Sequence, residues 1–434
     1  MPTKKTPKKL TAQQKIIYAL SERIVKAQTP IRILNAIKWE EQIYRDFVSK
    51  KCKELPKIKK EYYDNIPLNF APEEKREEFY QIERDIKRQL GQFNGIGKIM
   101  LRMCREYRAV VRMLEARGNK EFSDISKELY GSSNDAFYAN GPLLIDLAVI
   151  LSQSLQNIGF STETEADQKN IPTKAAATIL QKKLDEYFHQ SHTKVNVMLS
   201  DGIVSDAAAG ADKIKLRKGT YFSQRDLELL AVHEGWVHIG TTLNGMTQPV
   251  CTFLSKGPPS STIYQEGLAV LMEIITFTSH PKRITRLARR IQIINLAENG
   301  ADFLDIFHYL RELGCSIEES YLHTSRIFRG CTAKSGAFTK DLSYSKGFIL
   351  IYNYVRLAIK NGLLNRIALL FLGKTTLEDL AIYENLLDDG TIVYPQFIPP
   401  QFSDLAGLAC WMCYSLFLNQ LSLEKLTLDY KTIL

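Results

Sequence analysis

The sequence holds no stretch long and apolar enough to cross a bilayer as a helix. Its most apolar run, Leu405 to Leu418, is fourteen residues where about twenty are needed, and Leu143 to Leu151 is interrupted by Asp146. Lysines near the N-terminus are not followed by an apolar segment, so no secretory signal is expected. Cysteine is scarce: seven, an odd number, scattered at Cys52, Cys104, Cys251, Cys315, Cys331, Cys410 and Cys413. That excludes a disulfide framework and suits a reducing, cytoplasmic compartment. Cys410-Trp411-Met412-Cys413 has redox spacing, but inside an apolar helical run it reads as core packing. No stretch recurs at a period of roughly 20 to 50 residues, which argues against a solenoid. Histidine is scarce as well, with 7 in 434 residues, so any patterned pair of histidines carries information.

The composition, 45% hydrophobic and 24% charged, is that of a globular chain able to bury a large core. Its positive charge is uneven. Residues 1–60 hold 16 Lys and Arg against 5 Asp and Glu, or +11; the whole chain is +9, which leaves −2 for the remainder. Lys4, Lys5, Lys8 and Lys9 suggest a disordered basic arm over residues 1–20, followed by helix to Lys60. Such an arm either engages an acidic protein surface or anionic lipid, or is a solvated tail; nucleic acid is not an expected partner.

Helical periodicity dominates. Pro72 to Glu115 and Pro142 to Ile158 read as helices, the second a buried one, within an N-terminal helical lobe spanning residues 21–190. Between Thr193 and Phe222 the period changes to two, and Val195, Val197, Leu199 and then Ile214, Leu216 indicate two short strands. Asp201 to Asp212 joins them with small residues. Helices follow at Lys282 to Glu298, Asp302 to Leu313, Ile317 to Phe328, Tyr344 to Asn361 and Leu377 to Leu387, the last opened by the capping-box spacing Thr375-x-x-Glu378. The expected architecture is α+β and predominantly helical. Residues 191–375 would be the catalytic core, and 376–434 a helical segment packed on it.

The most informative segment is His233-Glu234-Gly235-Trp236-Val237-His238, followed by Gln265-Glu266-Gly267-Leu268-Ala269. A second His five residues after a His-Glu pair would arise by chance in roughly one such chain in a hundred. The spacing is one residue longer than the zinc signature His-Glu-x-x-His. On a regular α-helix five residues advance about 500°, leaving the imidazoles about 140° apart. A π-bulge absorbs one residue and restores a common face, and Gly235 could ease it. Ser223 is a candidate N-cap with Asp226 in the first turn, and Asn244-Gly245 is a stop signal. A second helix starting at Ser260 or Ser261 would carry Glu266 and Glu273.

Two imidazoles and one carboxylate with an open fourth position form a catalytic rather than a structural zinc set. His233, His238 and Glu266 are the expected ligands of one zinc ion. Glu234 would then act as general base toward the attacking water and return the proton to the leaving amine. Glu273, seven residues after Glu266 and so on the same helix face, would orient a ligand histidine from behind. In the loop from Arg329 to Tyr344, Arg329 and Lys340 could hold a terminal carboxylate, and Tyr344 could donate to a developing oxyanion. Lys213, with Lys215 and Arg217, either places charge beside the cleft or guards an edge strand. An extended peptide could add to that edge. These residues read as a zinc peptidase, and as a carboxypeptidase acting on the C-terminal tail of a protein or peptide, an acidic tail being one candidate, if a cationic side chain closes one end of the cleft. A zinc endopeptidase and a zinc-bearing regulator without turnover are the alternatives, and the presence of Glu234 argues against the second.

The two motifs together resemble the QEGLA-motif proteins, whose eukaryotic members include microtubule-associated tyrosine carboxypeptidases that remove the C-terminal Tyr of α-tubulin. Leu129-Tyr130-Gly131, the stretch Asp201 to Lys218, Arg329-Gly330, Thr339-Lys340-Asp341 and Tyr344 are similar to that family's landmarks, so the resemblance runs over roughly residues 20–370. It implies a zincin-like metallopeptidase fold with a small sheet on the zinc-binding helix, zinc on His233, His238 and Glu266, and Glu234 as base. The sequence is most similar to the family's bacterial branch, and bacteria generally lack α-tubulin. A different tail is therefore the expected substrate.

Overall fold

The computed structural model describes residues 10–431 apart from 92, 159–163, 202, 204 and 205. It is predominantly helical with small sheets, as the periodicity implied. Helix α1 (Ala12–Gln28) begins much earlier than the expected basic arm allows. Thr11 and Gln14 bond reciprocally as a capping box, and Ile17, Leu20, Ile24 and Ala27 form a buried stripe. The arm of residues 1–20 is thus corrected: its second half is helix, and residues 1–9 lie outside the described part.

The run from Pro72 to Glu115 is two helices, α2 (Pro72–Leu90) and α3 (Gly95–Glu115), because Gly91 turns the chain at φ +78°. After α4 (Lys120–Tyr130) comes α5 (Leu144–Ile158). It is helical as expected but not buried: Leu144 and Ala148 are enclosed while Val149, Ile150 and Ile158 face outward. One face suffices to pack on the neighbouring helix, so apolar content overstated its burial.

Helix α6 (Thr173–Tyr187) leads into three strands rather than two: β1 (Asn196–Ser200), β2 (Ala207–Ala209) and β3 (Lys213–Arg217), in spatial order β1-β3-β2. β1 runs parallel to β3, while β2 pairs with it antiparallel, Ala207 opposite Leu216 and Ala209 opposite Ile214. Three alanines carry no strand signal, which hid β2 in the supposed linker. Ile171–Pro172 and Tyr221–Phe222 form a separate two-residue pairing.

Helix α7 (Gln224–Leu230), capped by Ser223 and Asp226, continues through a π-helical stretch, Ala231–Ile239, into Gly240–Met246. Leu180 and Leu184 of α6, Ile214 and Leu216 of β3, and Leu227, Ile239 and Leu243 of the long helix share one buried cluster, which fixes the sheet against that helix. Each such side chain contributes about 1.5–3 kcal/mol by leaving water.

The remaining chief elements are α8 (Pro259–Ile275), α9 (Pro281–Glu298), α10 (Phe303–Glu312), α11 (Ile317–Phe328), α12 (Ser343–Lys360) and α13 (Leu405–Leu418). Residues of the expected N-terminal lobe contribute to all three apolar clusters, and the largest also draws on α8, α12 and α13. The segment opening at Leu377 starts with a single tight turn. The Thr376 hydroxyl bonds Asp379, and the expected Thr375–Glu378 box is not formed. On α13, Cys410 and Cys413 are exposed while Met412 is buried, which corrects the core-packing expectation for both thiols. Among the described residues no helix is long and apolar enough to cross a membrane.

Candidate metal centre and active site

Within Ala231–Ile239 the backbone bonds at i→i+5, so residues five apart stack one above the other. The rings of His233 and His238 meet edge to face with centroids 4.8 Å apart. The distortion is larger than the single bulge expected, extending over nine residues. Several contacts hold it. The carbonyl of His238 accepts from the Thr242 hydroxyl at 2.7 Å and from Lys374 Nζ at 2.9 Å, and the Thr241 hydroxyl bonds the Val237 carbonyl at 2.7 Å. Lys374 Nζ also donates to Thr241 Oγ1 and Gln265 Oε1, both at 3.0 Å, which ties the π-segment to α8. Burial lowers the Lys374 ammonium to about 7, against the opposing pull of Glu266 and Glu234. Gly235 sits where an added Cβ would lie 2.6 Å from Leu184 Cδ2. Glycine here lets α6 approach the helix.

Helix α8 brings Glu266 to the histidines through another close approach. Gly267 packs directly against Gly347 of α12, and a Cβ on Gly267 would lie 2.0 Å from the Gly347 carbonyl carbon. Glu266 Oε2 lies 3.5 Å from His233 Nε2 and 3.4 Å from His238 Nε2, and the three candidate ligand atoms all lie within 4.8 Å of one another. Tetrahedral zinc with bonds of about 2.0–2.2 Å places its ligand atoms about 3.3–3.6 Å apart. The spacing fits.

Charge and hydrogen bonding point the same way. Glu266 is 8% exposed, yet its Oε2 accepts no hydrogen bond. Lys340 Nζ lies 3.2 Å from the other oxygen, Oε1. Burial opposes the Glu266 charge, but Lys340 and the two imidazoles outweigh it and hold the carboxyl well below its ordinary range. Behind His233, Glu273 is fully buried and takes Nδ1–H at 2.6 Å; Arg283 braces that carboxylate with bonds of 2.9 and 3.1 Å. Burial works against the Glu273 charge as well, yet Arg283 and His233 hold its pKa at about 2. With Nδ1 committed, the Nε2 lone pair of His233 faces an unsatisfied carboxylate oxygen, an arrangement that requires a proton or a metal ion between them. Without metal the proton wins: burial disfavours the imidazolium, but Glu266, Glu273 and Glu234 outweigh it and raise His233 to about 10. The same field favours a divalent cation.

Glu234, half-buried, accepts the backbone N–H of Ala209 at 3.1 Å, which sets β2 along the site. Tyr344 opens α12, its ring 6.2 Å from the His233 ring and nearly parallel, with the Arg290 guanidinium 4.9 Å away. Arg329 is half-buried over the Phe338 ring. Lys340 is committed to Glu266. Lys213 stands apart: its ammonium lies 3.8 Å from the Asp212 carboxylate at the start of β3 and has no contact with the ligand cluster. Sequence reasoning missed Arg283, Arg290, Arg326, Asp341 and Lys374. The spacing of Arg283, Arg286 and Arg290 on a single helix face was a signal that could have been read.

The family model of the microtubule-associated tyrosine carboxypeptidase matches residues 45–420. The chain belongs to that family. The matched span contains His233, Glu234, His238, Glu266, Glu273, Arg329, Lys340 and Tyr344, and runs further toward the C-terminus than the landmarks quoted above. No curated protein matches the chain. Among solved structures, one described as Pyrococcus furiosus carboxypeptidase in an apo-Mg form is similar at 10% identity and a TM-score of 0.41, covering 94% of this chain and 99% of that one. So low a score adds nothing to what the microtubule-associated tyrosine carboxypeptidase family already establishes.

Proposed function

We propose that the protein is a zinc metallocarboxypeptidase that removes the C-terminal residue of a protein or peptide tail, with His233, His238 and Glu266 holding one zinc ion. The observation that carries this reading is the buried, unsatisfied Oε2 of Glu266 between two imidazole Nε2 atoms at tetrahedral-ligand spacing. A zinc ion bound there would supply Lewis acidity, easing deprotonation of water and polarising the scissile carbonyl. Every further task falls to side chains of this chain. Glu234 accepts a proton from the attacking water and later delivers it to the amine of the leaving residue, so the hydrolysis balances without another acid. Glu273, braced by Arg283, keeps the proton of His233 on Nδ1 and leaves Nε2 free to ligate. Tyr344 donates its hydroxyl to the developing oxyanion.

One feature favours an exopeptidase over an endopeptidase. Arg329, which makes no ion pair among the described residues, and Lys340, which also bonds Glu266, place positive charge beside Tyr344, where a terminal carboxylate would end the bound chain. β2 is the last strand in the order of its sheet and lies next to Glu234, its Ala209 N–H bonded to that carboxylate. The substrate is a protein or peptide tail, acidic in character, in a reducing cytoplasm. Mass spectrometry of peptides incubated with zinc-loaded protein should show loss of one C-terminal residue, and Glu234→Gln should stop it. Internal fragments would make it an endopeptidase; no cleavage at all would leave a metal-binding regulator.

A further inference from the structure

Helix α13 is apolar on its outward face, where a surface helix is usually polar. Its inner side packs on α12: Leu408 and Met412 are buried in the same cluster as Ile351 and Val355. On the outer side Trp411, Tyr414, Leu418 and, just past the helix end, Leu421 follow at steps of three, four and three. That is the spacing of a seam that packs on a second helix. Phe417 flanks the seam and Leu423 extends it. These six side chains are 40–78% exposed. At roughly 150–250 Å² for a whole large side chain, they leave on the order of 700 Å² of apolar surface in water, more than a soluble monomer ordinarily keeps in one patch.

Charge and area select the occupant. From Leu405 to Leu423 the chain has no Asp, Glu, Lys or Arg, although it is +9 overall. A helix that lies on lipid carries Lys and Arg on its polar face, and α13 carries neither. Its fourteen residues rise about 21 Å, short of the roughly 30 Å of a bilayer core. A charged partner surface would find no complement here. A second copy offers an identical uncharged face, so two positively charged chains meet without opposing like charges. The exposed area also approaches the ~800 Å² that each partner buries in a stable interface of standard size.

We propose that the protein is a homodimer joined by the outward faces of α13 in twofold contact, with Trp411, Tyr414 and Leu418 at the centre of the interface. Sedimentation velocity of the full chain over a range of concentrations should show a particle of twice the chain mass. Tyr414→Glu and Leu418→Glu alter side chains more than half exposed in the single chain, so both variants should fold, with unchanged far-ultraviolet circular dichroism. Each should raise the dimer dissociation constant at least about 100-fold, because twofold symmetry places two unpaired charges in a dry interface. Thiol labelling gives an independent readout. Cys410 and Cys413 are exposed while the other five cysteines are buried. A maleimide should therefore label these two slowly in concentrated protein, quickly on dilution, and quickly at every concentration in Leu418→Glu. Single-chain mass throughout, with labelling that ignores concentration, would overturn the proposal, as would a dimer that survives both substitutions. Monomeric protein that co-sediments with phosphatidylcholine vesicles, and ceases to in Leu418→Glu, would also overturn it and make a lipid surface the occupant.

Discussion

Between Ala231 and Ile239 the backbone leaves regular helix geometry to bring His233 and His238 together, whereas Pro259–Ile275 stays regular and still sets Glu266 and Glu273 on one face. The difference follows from spacing. Seven residues advance about 700°, close to two full turns, so the two carboxylates share a face without help; five residues do not. Regularity carries its own demand. Glu266 reaches the histidines only because Gly267 and Gly347 let two backbones touch, while the π-segment is held by polar contacts from Thr241, Thr242 and Lys374. One element depends on absent side chains, the other on added hydrogen bonds.

That contrast can be broken from either side. The largest effect is expected from Glu266→Ala, which should abolish zinc retention, read by metal analysis after dialysis, and reduce peptide hydrolysis to background. Next comes Gly267→Val. Its side chain would meet backbone that cannot yield, so a loss above about 3 kcal/mol is expected in denaturant unfolding; tolerance of valine would show that α8 and α12 are not in the contact described. Glu273→Gln should leave the fold intact but weaken zinc binding by about 10- to 100-fold, measured by competition with a chelator.

Smaller effects sharpen the other half. Gly235→Ala meets only the end of Leu184, and alanine's better helix propensity offsets the crowding, so stability should stay within about 1 kcal/mol. An effect as large as that at Gly267 would erase the distinction between the two helices. In metal-free protein, Glu273 has its pKa depressed to about 2 from 4.5, so its contribution is present above 4.5 and lost as pH falls through 2. His233 is raised to about 10 from 6.5, so its contribution is full below 6.5 and lost as pH rises through 10. Thermal midpoints should fall on both sides. Zinc should flatten the alkaline decline, because the ion replaces the proton on Nε2.

The cluster of His233, His238, Glu266 and Glu273 was legible because its spacing is periodic: a step of five residues between the histidines demands a distorted helix, and a step of seven between the glutamates a regular one. Helix α11 spans Ile317–Phe328 as the sequence periodicity implied, and its start is set locally by the Ser316–Glu319 capping box. What escaped has no local signature. β2 is three alanines whose strand character comes only from pairing with β3. Lys374 reaches the His238 carbonyl across a sequence separation of 136 residues. Cys410 and Cys413 face outward because α13 buries only part of its surface, which hydropathy alone cannot divide into inner and outer faces.

The backbone contact between Gly267 and Gly347 has a mechanical consequence. Two helices locked at that point cannot slide or pivot past each other, so Glu266 and Tyr344 travel as one block. Motion that admits a substrate and releases its products is then expected on the opposite wall, where the Ala209 N–H of β2 meets Glu234.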